Sequence, residues 1–159
     1  MIIYDNKIYI YGGFTSSFSL SDFYSLNLLN LVWTKENPTG QIPSNNSLRD
    51  FSFVRVGTKL FITGGCDFEA KKCYTDTYSI DITTLIWSKI TDSNSSSITG
   101  RYGFRTIFFK GGIYSFGGCE MYKQCFNDVY FMDVQDICPN KCIPPQRNAI
   151  KGVCNENIG

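Results

Sequence analysis

Seven cysteines and no histidine set the chemistry open to this chain of 159 residues. Without an imidazole there is no side chain tuned for acid–base work near neutral pH. Ser–His and Cys–His activation are excluded, and so is histidine metal ligation. The cysteines are Cys66, Cys73, Cys119, Cys125, Cys138, Cys142 and Cys154. Cys66 and Cys119 each follow a Gly-Gly pair, and Cys73 and Cys125 each lie three residues before an aspartate, Asp76 or Asp128. Two loops therefore carry a cysteine at both ends. Antiparallel strands hold facing Cα atoms near ~5.5 Å, which a disulfide accepts. The expected pairs are Cys66–Cys73 and Cys119–Cys125, each stabilising by roughly 2–3 kcal/mol through lost chain entropy. The alternative is four free buried thiols. Loops rarely collect paired thiols by accident, which favours the disulfides. Zinc fits less well, because a structural site wants four ligands and each loop offers two.

Disulfides imply an oxidising setting: extracellular, cell-surface or the lumen of the secretory pathway. Reduced cysteines would instead place the chain in the cytoplasm. Two sequons agree weakly with the first reading, at Asn45 (Asn45-Asn46-Ser47) and Asn94 (Asn94-Ser95-Ser96),. Carboxylates such as Asp50, Asp67, Glu69 and Glu120 are scattered, with no spacing that marks an acid–base pair. The net charge is +1, and Lys71-Lys72 is the only basic doublet singled out. Nucleic acid is not an expected partner, since phosphate contacts call for a basic excess. No apolar run reaches the ~18–20 residues of a membrane span. No cofactor is expected.

The elements that position these residues repeat. Gly-Gly pairs stand at Gly12-Gly13, Gly64-Gly65 and Gly117-Gly118, spaced by 52 and 53 residues. Each ends an alternating apolar run: Lys7 to Tyr11, Lys59 to Thr63, and Gly112 to Phe116. A second segment follows each loop: Asp22 to Leu28 with Tyr24, Asp76 to Ile82 with Tyr78, and Asp128 to Val134 with Tyr130. Trp33 and Trp87 lie eleven residues after the first two aspartates, while Pro139 holds that place in the third. Period-two alternation reads as strands, and no apolar stripe of helical period appears. Fixed-period self-similarity marks a repeat architecture.

A strand ending in Gly-Gly, an aromatic in the next strand and a Trp after a short turn resemble the kelch repeat. In that family an Arg and a His often precede the Gly-Gly strand. Here Leu48-Arg49-Asp50-Phe51 and Arg101-Tyr102-Gly103-Phe104 occupy the stretch, with Phe51 and Phe104 where the His would be. The resemblance implies an all-β fold, a partial kelch-type β-propeller of about three blades of antiparallel strands. Its repeats cover about 1–47, 48–99 and 100–137. The first strand of the first repeat is expected to be missing or shortened, and the third repeat stops short. Propellers close with roughly four to eight blades. Three form an open arc with two apolar end faces, unless missing sequence or another chain completes the ring. The segment 138–159 changes character. Cys138-Pro139-Asn140-Lys141-Cys142 and Gly152-Val153-Cys154 resemble the opening of an EGF-like module. Its odd cysteine count suggests a pairing partner beyond Gly159; the alternative is that Cys138–Cys142 or Cys142–Cys154 pair and one thiol stays free.

Antiparallel connectivity sorts the loops. Tight turns at Leu29-Asn30, Gly57-Thr58, Thr83-Thr84 and Lys110-Gly111 fall on one side of the blades. The long segments fall on the other, and long loops on a rigid scaffold tend to carry function. Phe14, Phe18, Phe68, Tyr74, Met121 and Tyr122 are the candidate contacts there; packing under their own loops is the competing reading. The chain therefore reads as a non-catalytic protein-interaction module of a secreted, lumenal or cell-surface protein, with an unidentified protein partner. The alternative is a cytoplasmic scaffold or substrate adaptor with reduced cysteines. Some kelch-fold oxidases hold copper with His and Tyr, and this chain has no His to supply such a site.

Overall fold

A computed structural model describes residues 1–15, 19–43, 48–91 and 98–134. Every regular element among them is a β-strand. The first four, β1 (Ile2–Tyr4), β2 (Lys7–Tyr11), β3 (Phe23–Asn27) and β4 (Trp33–Glu36), pair antiparallel in chain order as one blade. The first strand is present but short. Asp5 and Asn6 turn it into β2 with φ of 44° and 58°, the paired positive φ of a primed hairpin turn, which Asp and Asn tolerate.

The connection to the second blade contributes β5 (Thr39–Gly40) and β6 (Leu48–Arg49). The blade itself is β7 (Ser52–Val56), β8 (Lys59–Thr63), β11 (Thr77–Asp81) and β12 (Ile86–Ile90), again an antiparallel meander. Inside its long loop lies a hairpin, β9 (Cys66–Asp67) with β10 (Lys72–Cys73). Two pairings were not expected from the sequence. β5 adds parallel to the outer edge of β12, matching Ile86 with Thr39 and Trp87 with Gly40, and so covers an edge that would otherwise be open. β6 pairs with β9, which ties the connection to the loop. The third blade has β13 (Arg105–Phe109), β14 (Gly112–Phe116) and β15 (Val129–Asp133) among the described residues.

Alternation along the strands divides the core. From the middle blade, Leu60, Ile62, Tyr78, Ile80 and Trp87 pack with Tyr9, Tyr11 and Phe23 of the first. Val54, Val56 and Phe61 point the other way and pack with Ile113 and Val134 of the third. The middle blade is thus apolar on both faces, which is why Leu60, Phe61 and Ile62 are all buried. The first strands of successive blades also meet: the Ser52 and Thr106 hydroxyls lie 2.6 Å apart. Burial pushes the Tyr11 phenol up to about 12, with Tyr78 adding to the shift.

Two phenylalanines account for four of the six paired glycines. Phe104 wedges between Gly64 and Gly118, and a Cβ on either glycine would come within 2.8 Å of it. Phe51 sits in the same way between Gly65, where a Cβ would be 3.0 Å away, and Gly12, at 3.4 Å. Each ring is a packing unit that joins one blade to the next. Gly64 and Gly118 also have φ of 63° and 85°, so a side chain would be strained by backbone as well as by contact.

The two turns centred on Leu29-Asn30 and Thr83-Thr84 are wider than the sequence suggested. They span 28–32 and 82–85 and close through Leu31 and Leu85 at positive φ, with Asn27 and Asp81 accepting from the N–H groups of Leu29 and Thr83. Neither end face is covered by the described residues. Trp33 is exposed on the first blade. On the third, Arg105, Ile107, Phe109, Tyr114, Phe116 and Val129 line a shallow apolar depression of about 360 Å³.

Candidate interaction face

The long loops share one construction. In the second blade Cys66 and Cys73 face each other across β9 and β10 at disulfide distance, with Cα atoms 3.9 Å apart. Arg49 of the incoming connection pairs with Cys66 on the other side. The third blade repeats this with single bridges. Cys119 pairs with Cys125, again at disulfide distance with Cα atoms 3.9 Å apart, and with Tyr102 of its connection. Both Cα separations are shorter than the ~5.5 Å anticipated, nearer the narrow class of antiparallel pair. In the first blade Phe14 directly follows Gly12-Gly13, the place of Cys66 and Cys119, and it bridges to Ser19 where the others have a second cysteine.

This construction brings side chains from consecutive blades into a row. The Arg49 guanidinium lies 5.0 Å from the Phe14 ring and 5.8 Å from the Phe68 ring. Phe68 in turn meets Tyr102 edge to face at 5.4 Å. Arg49 is fixed by its Nε–H, which donates to the Ser19 hydroxyl at 2.8 Å, and one of its terminal nitrogens approaches Glu69 at 3.7 Å. Stacking an arginine between rings keeps its position while leaving polar edges open. The row sets an arginine among aromatic rings on the loop side and places no nucleophile beside a base.

The expected contacts separate. Phe14 is 67% exposed and Tyr122 78% exposed, so both stand free on the face. Phe68 is half-buried by Tyr102. Tyr74 is half-buried, with the Lys72 ammonium 5.1 Å from its ring. Met121 is 7% exposed and lines a cleft below its loop instead of standing free. Phe18, the sequon residues Asn45 and Asn94, and the tail cysteines Cys138, Cys142 and Cys154 lie outside the described residues.

Arg49 and Tyr102 were not among the sequence candidates. Their signal was available in the repeat itself. Each stands two residues before the wedge phenylalanine, Phe51 or Phe104, and 53 residues separate them. Reading that stretch only for the family Arg and His hid the position that reaches the face.

Comparison with known proteins agrees with this architecture. The KLHDC2/KLHL20/DRC7 Kelch-repeats domain matches residues 1–154, which extends past the boundary expected at 137. Human host cell factor 2 is 24% identical across 94% of this chain, and bovine kelch domain-containing protein 3 is 29% identical across 83%. A probable serine/threonine-protein kinase of Dictyostelium discoideum is 26% identical across 71%. The chain spans 21% of the first of these relatives, 37% of the second and 9% of the third. With the domain match covering nearly its whole length, the chain belongs to the kelch-repeat family.

Proposed function

We propose that the chain is a non-catalytic protein-interaction module that binds its partner through the long-loop face, centred on Phe14, Arg49, Phe68 and Tyr102. The row itself carries the reading. Four side chains from two loops and two connections converge there, and aromatic and arginine residues are the types that dominate interface energetics. Arg49→Ala combined with Phe14→Ala is expected to weaken the partner complex by roughly 30-fold, the ~2 kcal/mol scale of an interface hot spot. The partner would be captured by crosslinking and the affinity remeasured with the purified pair. Leu29→Ala, on the tight-turn side, serves as the control. Unchanged affinity in the double variant, with its circular dichroism intact, would sink the reading.

The two stapled loops support an oxidising compartment as the place of action. Alkylation of denatured protein, before and after reduction, tests it by mass. Labelling of these four thiols only after reduction is the expected result. Full labelling without reduction, in protein prepared under oxidising conditions, would instead favour a cytoplasmic scaffold. The exposed end faces suit further blades, from a longer chain or another copy.

A further inference from the structure

We infer that the cleft between the two stapled loops takes acidic side chains of a protein partner. The inference deepens the reading of this face as a recognition surface and rests on it. The cleft measures about 240 Å³. One wall is the β9–β10 hairpin held by Cys66 and Cys73, and the other is the loop held by Cys119 and Cys125. The connection between the blades draws the walls together. At Gly100 it runs so close to β10 that a Cβ would come within 2.6 Å of the Cys73 carbonyl.

The lining is cationic. Lys71, Lys72 and Lys123 face Glu120 as the single carboxylate, with buried Met121 as the apolar base. Lys123 already holds Glu120 at 2.5 Å. Lys71 and Lys72 form no ion pair with any carboxylate among the described residues. The two nearby acids are engaged elsewhere. Asp67, the cross-strand neighbour of Lys72, accepts from the N–H groups of Glu69 and Ala70, and Glu69 leans toward Arg49. Two ammonium groups without a carboxylate, Lys72 resting against the Tyr74 ring, therefore edge a recess whose base is a methionine. Carboxylates on short aliphatic stems match both features, the charge at the rim and the methylenes below. The cysteine pair at the neck of each loop restrains the backbone that carries these lysines.

The test is fluorescence anisotropy with a fluorescein-labelled octaglutamate peptide at low ionic strength, using the whole chain. Saturable binding is expected, fading as salt is raised. Lys71→Glu combined with Lys72→Glu should weaken it at least roughly tenfold. Lys110→Glu, in the β13–β14 turn on the opposite side, should leave it unchanged. All three lysines are exposed, so the variants should fold, which circular dichroism checks,. No binding by the unaltered chain would overturn the inference. So would equal binding by the Lys71/Lys72 variant, or equally tight binding of an oligothymidylate, which would mark a general polyanion surface. Octaglutamate is scored without the natural partner. Failure here leaves the aromatic row untouched, whereas unchanged affinity in the Arg49/Phe14 variant removes the row and leaves octaglutamate binding as a separate readout of the lysines.

Discussion

Trp87→Ala is expected to cost about 3–5 kcal/mol of stability, whereas Trp33→Ala should change it by no more than about 0.5 kcal/mol. The two residues hold the same repeat position, and each is paired across its hairpin with an aliphatic partner, Ile80 for Trp87 and Leu26 for Trp33. Their surroundings differ. Trp87 is 1% exposed and sits 5.2 Å from the Tyr11 ring and 6.4 Å from Phe23, both on the first blade. Trp33 looks away from that contact and is 53% exposed. The tryptophan of each blade is thus the plug toward the blade before it, and only one of the two has such a neighbour among the described residues. Urea unfolding followed by circular dichroism measures both costs. The emission spectra give a second check, since each variant leaves one tryptophan. Trp87 alone should emit at shorter wavelength than Trp33 alone. Equal costs for the two substitutions would refute the plug assignment. Trp87 also has a buried indole N–H with no hydrogen-bond partner among the described residues. Trp87→Phe removes that unmet donor while keeping a ring in the contact, so it should cost much less than alanine.

The contrast between the tryptophans shows what a repeat pattern conveys. Strands β2, β8 and β14 were legible because each is a five-residue run rich in apolar residues that ends at a Gly-Gly pair and recurs at a near-constant interval,. The Gly-Gly ends were legible because all six glycines have positive φ, which glycine adopts without strain,. The two-residue strands β5, β6, β9 and β10 were not, since two residues have no period. Only their pairing partners define them, and those lie up to 47 residues away, as Thr39 does from Ile86. The loop aromatics fail for a related reason. Phe14 and Met121 are similar as sequence, yet one is presented and the other fills a loop. Loop closure does not decide it, since Tyr122 lies beside Met121 between Cys119 and Cys125 and is 78% exposed; the direction a side chain takes from an irregular loop has no period to read. Arg49 escaped notice because its importance is relational. It matters through Ser19, Phe14 and Phe68, none of which is near it in sequence.

Asp128→Asn should destabilise the chain by about 3 kcal/mol, and Arg101→Leu made in the same molecule should recover a substantial part of that loss. Arg101 is 2% exposed. One terminal nitrogen donates to Asp128 Oδ1 at 2.6 Å and to the Gly117 carbonyl at 2.9 Å, the other to Asp128 Oδ2 at 3.3 Å. Its Nε–H donates to the Thr99 carbonyl, and its plane lies 4.0 Å from the Phe126 ring and 4.8 Å from Tyr130. Removing one partner of such a pair leaves a buried charge uncompensated, which costs about 3–5 kcal/mol. The lower end applies because the Asp128 side chain is partly solvated. The second blade indicates the way back. Leu48 is buried at the position of Arg101, and Asp76, at the position of Asp128, pairs instead with Lys89 at 2.8 Å. The blade architecture therefore accepts an apolar residue at this site when its aspartate does not depend on it. In a double-mutant cycle by urea unfolding, the two losses should fall short of additivity by more than about 1 kcal/mol. Simple additivity would mean that Arg101 is held by its rings and carbonyls alone, with Asp128 a bystander. The sign of the coupling decides the matter even if the doubly altered chain is less stable than the original. It compares the same leucine with and without the carboxylate beside it.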